Sequence, residues 1–212
     1  MTPTTKIICA VSGPLTATIP DVEGLQGYAV HLPFPGEPPE QPDHVGGVAM
    51  IWLDVDAPLE PHAWFPSQVV TAYAVDEHVR FEYERTWPDA TASPGPRRIS
   101  FVRRAEGISR AEMAQHWGDV HSKLVPVHHP GVWRYVQNVV VGAVTPNAPE
   151  VDGIAELHFR NVDDLHTRFY DSDQGKRIVA EDVRRFLDPG KGWRMLAQET
   201  WARTPSDGTP GI

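Results

Sequence analysis

The residues best suited to chemistry lie between Ser109 and Asn138, in SRAEMAQHWGDVHSKLVPVHHPGVWRYVQN. Ser109 and Glu112 have the spacing of a capping box, in which each side chain satisfies a backbone N–H of the other at a helix start. Met113, Trp117, Val120 and Leu124 then recur at helical spacing and fall within a stripe about 60° wide. His116 lies about 60–80° to one side of that stripe, and His121 about 60° to the other. Two imidazoles therefore flank an apolar face, an arrangement shared by boundary histidines on an ordinary core-packing helix and by histidines at the rim of a ligand cavity. An imidazole beside apolar ligand surface can take a proton from a carbon acid or hydroxyl and return it elsewhere. His121, four residues after Trp117, fits that role best, and His116 is the flanking candidate. Tyr135 is the expected acid or hydrogen-bond donor to an oxyanion. Trp117 and Trp133 would supply a flat apolar wall for an aromatic ligand. His128 and His129 read as part of an exposed turn.

These residues need a helix and strands to hold them. Ser109 to Val125 is the predicted helix, and Trp133 to Val141 a strand on which Trp133, Tyr135 and Gln137 share a face. Gly153 to Arg160 (GIAELHFR) is a second strand, with Ile154, Glu156, His158 and Arg160 on one face and Ala155, Leu157 and Phe159 on the other. A face that carries Glu156 beside His158 is either solvated or lines a polar pocket, because a buried carboxylate needs a partner. Glu156, His158 and Gln137 are accordingly candidate substrate contacts. Arg98–Arg103 precedes the helix as a strand. Helices are expected over Asp163–Tyr170 and Gln174–Leu187, and a closing strand over Trp193–Trp201.

The first half reads as strands Lys6–Val11, Leu25–Pro33, Val45–Val55 and Glu77–Trp87, with a short helix around Trp64–Val70 and a proline-rich loop after Pro33. Pro88 to Pro96 (PDATASPGP) is the one internal linker by composition. The halves rhyme: EGLQGYAVHLP against PGVWRYVQNVV, GGVAMIWLDV against DGIAELHFRNV, and VRFEYERTW against WRMLAQETW. The expected organisation is a degenerate first half over 1–87, a linker over 88–97, a complete second half over 98–203 and a disordered tail over 204–212. Each half would be a β-α-β-β-α-β unit, the first having lost its first helix. The fold class is then α+β, with two ferredoxin-like repeats forming one α/β barrel within a single chain.

The run VRRAEGISRAEMAQHWGDVHSKLV followed by HPGVWRYVQN resembles the EthD-type branch of the dimeric α/β-barrel superfamily. The matching positions are Arg103, Arg104, Gly107, Ser109, His116, Trp117, His121, Pro130, Gly131 and Tyr135. The resemblance covers about half the chain, Ile99 to Trp201, and places Tyr135 at the family's tyrosine. It implies a ligand cavity between the sheet and its helices, or inside the barrel. One activity it implies is a cofactor-independent lyase, cyclase or isomerase acting on a hydrophobic aromatic or polyketide-like carbonyl compound. A second is a haem-dependent or cofactor-free oxidase or monooxygenase, whose proximal histidine would come from the second-half helices or from His158. A third is a small-ligand-binding accessory protein. One scaffold hosts many chemistries, so the fold alone does not choose among them.

Bulk properties exclude other classes. The chain has 212 residues, 41% hydrophobic and 22% charged, with a net charge of −9 and no basic block, which argues against nucleic-acid or anionic-membrane partners. The single cysteine, Cys9, allows no internal disulfide and sits in an apolar strand as core. There is no HExxH, CxxC, GxGxxG, Walker or GxSxG pattern, and in a regular helix His116 and His121 point about 140° apart, so no metal or nucleotide is expected. The N-terminus lacks a signal peptide's basic and apolar segments, and no run of eighteen apolar residues occurs, so a cytoplasmic location is the expectation; a small hydrophobic or aromatic substrate and a second copy of the chain, as a homodimer, are the partners considered.

Overall fold

The computed structural model describes residues 4–13, 15, 22–66, 68, 70–146 and 148–203. The tail 204–212, expected to be disordered, lies outside the described residues. Eight strands form one closed antiparallel barrel: β1 (Thr4–Ser12), β2 (Leu25–Pro33), β3 (Val45–Asp54), β4 (Val70–Phe81), β5 (Arg97–Arg104), β6 (Val132–Ala143), β7 (Gly153–Phe159) and β8 (Leu187–Arg203). Around the barrel the order is β1-β3-β2-β8-β5-β7-β6-β4. Each run of four consecutive strands is thus ordered fourth, first, third, second, and the two runs meet at β2–β8 and β4–β6. The architecture is α+β. Among the described residues no helix is long and apolar enough to cross a membrane.

Strand alternation makes two surfaces. Ile8, Met50, Tyr73, Ile99, Ile154 and Met195 belong to one cluster drawn from all eight strands, which is the barrel interior. The intervening residues point outwards. On the first half, Ile7, Cys9, Ile51 and Leu53 are covered by Trp64 and Phe65 at the end of the short helix α1 (Pro61–Trp64). On the second half the outer face is covered by α2 (Arg110–His116), a π-helical turn (Trp117–His121), α3 (Ser122–His128), α4 (Val162–Thr167) and α5 (Asp173–Phe186).

Two first-half expectations are corrected. The helix around Trp64–Val70 is instead one turn over Pro61–Trp64, set by the proline at its start, whose fixed φ suits a first helical position. The strand expected over Glu77–Trp87 begins at Val70 and stops at Phe81, because VTAYAV pairs with β1 and the later residues with β6, whose first residue is Val132. Beyond Phe81 the chain crosses the barrel end, where Tyr83 stacks on Trp133 at 4.2 Å between centroids. The 88–96 segment packs there too: Ser93 N–H donates to the Glu199 carbonyl at 3.0 Å and the Pro94 carbonyl lies 2.7 Å from His158 Nε2.

Candidate active site

The site begins with the helix start, where the capping box forms as its spacing predicts: Ser109 N–H donates to Glu112 Oε2 at 2.7 Å and Glu112 N–H to Ser109 Oγ at 3.2 Å. The helix does not continue regularly. At Trp117–His121 it winds as a π-turn, closed by i→i+5 hydrogen bonds that accommodate one extra residue. Downstream side chains therefore slip by one position. Val120, expected on the apolar stripe, is 43% exposed, and His121 and Val125 are buried in line with Met113 and Trp117. The looser winding also brings both imidazoles to one carboxylate: His116 Nε2 lies 2.8 Å from Asp182 Oδ1, and His121 Nδ1 2.9 Å from Asp182 Oδ2. The divergence expected of a regular helix is thus corrected by one inserted residue.

Asp182 is absent from the candidates that motif and spacing supply, although α5 carries a signal for it. Gly175, Val179, Asp182 and Phe186 form the buried stripe of α5, so a carboxylate stands where an apolar residue belongs and must find a partner. Phe186 stacks against the His116 ring at 4.9 Å and flanks His121 at 5.1 Å. Burial lowers the pKa of His121, and the hydrogen bond and charge of Asp182 only partly restore it, so the imidazole is neutral at pH 7. A carboxylate only accepts, which places the proton on Nδ1 and leaves Nε2 as a free acceptor. Among the described residues Nε2 has no hydrogen-bond partner, and His121 lines a cleft.

Tyr135, from β6, projects into the same cleft. Its hydroxyl is 2.8 Å from Trp117 Nε1 and 3.0 Å from Gln137 Nε2. Gln137 is oriented without ambiguity: its Oε1 accepts from Arg80 Nε at 2.8 Å and its Nε2 also donates to the Trp117 carbonyl at 2.9 Å. Both neighbours of the phenol are donors, so Tyr135 Oη accepts twice and its own proton has no acceptor among the described residues. Burial pushes the phenol pKa up to about 12 against the lowering effect of those two hydrogen bonds, so the proton stays on.

The cleft holds about 160 Å³ between the outer face of the second-half sheet and the helices. Ala155 and Leu157 form its floor, Trp117, Val125, Val179 and Val183 its walls, and Arg98 and Ser100 its polar rim. His129, expected in an exposed turn, is buried and lines the cleft, with burial lowering its pKa to about 4. His121, Tyr135 and Trp117 are brought together as expected; His116 and Gln137 stand behind them as partners of Asp182 and Tyr135.

Three expected substrate contacts are elsewhere. Glu156 and His158 point to the barrel interior and are buried. Glu156 accepts from Lys6 at 2.7 Å and Asn138 at 2.9 Å, beside Arg97 and Arg134. Burial alone would raise the Glu156 carboxyl, but these cations hold it far below the usual carboxylate range. His158 uses both ring nitrogens, on Tyr83 Oη at 2.9 Å and the Pro94 carbonyl at 2.7 Å. Trp133 joins that barrel-end group because β6 shifts register between Val132 and Arg134, and the bulge turns Trp133 away from the face of Tyr135 and Gln137.

Of the histidines that a haem could use, His158 has no nitrogen left for iron, whereas His121 keeps Nε2 free at the cleft. Among the described residues no three His, Cys, Asp or Glu side chains are placed to hold a metal ion.

Fold and site together define a closed eight-stranded α+β barrel with a His–Asp pair and a tyrosine in a cleft beneath its helices. Residues 105–190 match the family model of the EthD domain. The barrel is similar to a solved structure of an anthrone oxidase-like protein, with a TM-score of 0.61 at 10% identity over 99% of this chain and 100% of that one. It is also similar to a candidate monooxygenase from Fusobacterium nucleatum subsp. nucleatum ATCC 25586, with a TM-score of 0.54 at 8% identity over 96% and 94% of the two chains. At these identities the likeness establishes the fold. No curated protein sequence matches the chain.

Proposed function

We propose that the protein is an enzyme that, without a cofactor, abstracts a proton from a hydrophobic aromatic or polyketide-like carbonyl compound, with His121 as general base. The observation that carries this reading is the complementary pair in one apolar cleft: an imidazole nitrogen free to accept and a phenol proton free to be donated. His121 Nε2 takes the proton from the carbon next to the carbonyl. Asp182 holds the ring and stabilises the imidazolium that forms, and His116 shares that carboxylate. Tyr135 donates to the carbonyl oxygen as it becomes an enolate oxygen, with Trp117 and Gln137 fixing the hydroxyl. Returning the proton at another atom completes a dehydration, cyclisation or isomerisation without net redox change.

The resemblance of the barrel to an anthrone oxidase-like protein supports a second reading that shares the first step. There the carbanion from an activated aromatic CH₂ passes its electrons to dioxygen, giving a carbonyl and one water. The strand order, fourth-first-third-second in each half, likewise supports a tandem duplication of one ferredoxin-like unit with a reduced first copy.

The test is deuterium incorporation from D₂O into tetralone under nitrogen, with oxygen uptake on anthrone measured separately. Exchange above the buffer rate that falls by roughly 10²–10⁴-fold in His121→Ala supports the base. Wild-type exchange no faster than buffer removes the reading, and rapid His121-dependent oxygen uptake selects the oxidative branch.

A further inference from the structure

Arg98 stands apart from the other arginines of the barrel wall. Its neighbours are engaged: Arg97 pairs with Glu199 at 2.7 Å and Arg194 with Glu40 at 2.9 Å. The Arg98 guanidinium, half-buried, lies over the Phe169 ring at 5.2 Å, and among the described residues it makes no hydrogen bond or ion pair. It borders three concavities at once. One is the cleft of His121 and Tyr135, the second a groove of about 220 Å³ that shares Ser100, Val102, Val183 and Leu187 with that cleft, and the third a pocket of about 230 Å³ beside Phe169 and Leu165. The cleft and the groove are therefore continuous along β5, with Arg98 where they join.

The sheet register fixes its distance from the chemistry. Arg98 pairs with Leu157, and Leu157 with Tyr135, so the three stand in one row across β5, β7 and β6. Arg98 and Tyr135 are two strand spacings apart, roughly 10 Å at the backbone. A desolvated guanidinium with an aromatic ring beneath it and no carboxylate of its own is built to accept a planar anion in a bidentate fork. Burial and the positive charge of Arg194 both lower the pKa of Arg98, with Glu40 opposing, and Glu37 and Glu40 share the third pocket, which leaves the cleft and the groove as the sides open to an anion.

We infer that Arg98 binds a carboxylate carried by the substrate, so that the enzyme acts on aromatic carbonyl acids, with the reacting carbonyl at Tyr135 and the acid group at the junction of cleft and groove. This rests on the assignment of the cleft as the substrate site. It makes Arg98 a specificity-determining residue outside the EthD-like motif positions.

The experiment compares naphthoate with naphthamide, which differ in charge but hardly in shape, by intrinsic tryptophan fluorescence titration. Wild type should bind naphthoate about tenfold or more tighter than naphthamide, as expected for a charge-assisted hydrogen bond. Arg98→Gln and Arg98→Met should bring the ratio close to one while naphthamide affinity stays within about twofold of wild type. Added salt should weaken naphthoate but not naphthamide in the wild type, which provides a readout free of folding effects. A wild-type ratio of one, a ratio that survives both substitutions, or salt-independent naphthoate binding overturns the inference. An Arg98-dependent ratio without tetralone exchange leaves the carboxylate site standing and removes the base; exchange without the ratio does the reverse.

Discussion

Asp182→Asn probes the arrangement most sharply, because the carboxylate acts on His121 in two separable ways. It accepts the Nδ1 proton at 2.9 Å, which keeps Nε2 unprotonated and aimed at the cleft. Its charge also raises the pKa of His121 against the stronger lowering by burial. An asparagine removes the charge and can present its own N–H to Nδ1, which moves the ring proton to Nε2 and takes away the base. A hydrogen bond to a charged group is worth about 1.5–3 kcal/mol, so plateau exchange on tetralone should fall roughly 10- to 150-fold. The sign of the pH effect is independent of that magnitude. His121 must be neutral to act, and its folded pKa already lies below 6.5, so wild-type exchange persists below pH 6.5 and is lost only as the pH falls through the lowered value. Without the Asp182 charge that pKa falls further, and the acid limb of the residual activity moves to still lower pH. Initial exchange rates by NMR across about pH 4–8 measure both. A limb displaced upwards, or a rate within twofold of wild type, would refute the assignment.

Other perturbations address the supports. Gln137→Glu offers Tyr135 Oη an acceptor in place of a donor, so the phenol proton should turn to the new carboxylate, with Arg80 beside it for charge; exchange should drop as far as in Tyr135→Phe, and wild-type exchange would show that the proton is unused. A Cβ at Gly153 would come within 2.4 Å of Trp117 Cζ3, so Gly153→Ala should displace the indole and cost about 1–3 kcal/mol in urea unfolding, an unchanged midpoint being the contrary result. Burial lowers the pKa values of His31 and His129 to about 4, and both groups are neutral when folded at pH 6.5. The unfolded state therefore binds more protons between about pH 6.5 and 4, and stability present above pH 6.5 should decline across that window by up to about 3 kcal/mol per imidazole. Urea midpoints that stay flat over this range would contradict it.

Much of this molecule is written locally. The capping box at Ser109 and Glu112 forms because both partners lie within one turn, and strands such as Leu25–Pro33 and Gly153–Phe159 follow from β-branched and alternating residues. The two-sided pattern of GIAELHFR was also readable, since a strand must send successive side chains to opposite faces. Which face meets the helices is not a local property. Glu156 and His158 are suited to a pocket by type, and only closure of the barrel brings Lys6, from the other end of the chain, to neutralise Glu156 inside it. A register shift at Val132/Arg134 separates Trp133 from Tyr135, although alternation alone puts them together. The candidate site shows the same division. His121, Trp117 and Tyr135 were visible as residues, but the π-turn that directs His121 inwards is one extra residue that the apolar pattern absorbs without trace. Its partner Asp182 lies 61 residues away in sequence. The sequence determined the chemical groups and the elements that carry them. Tertiary packing decided which of those groups meet, because a buried carboxylate and a buried imidazole are tolerated only where each finds the other.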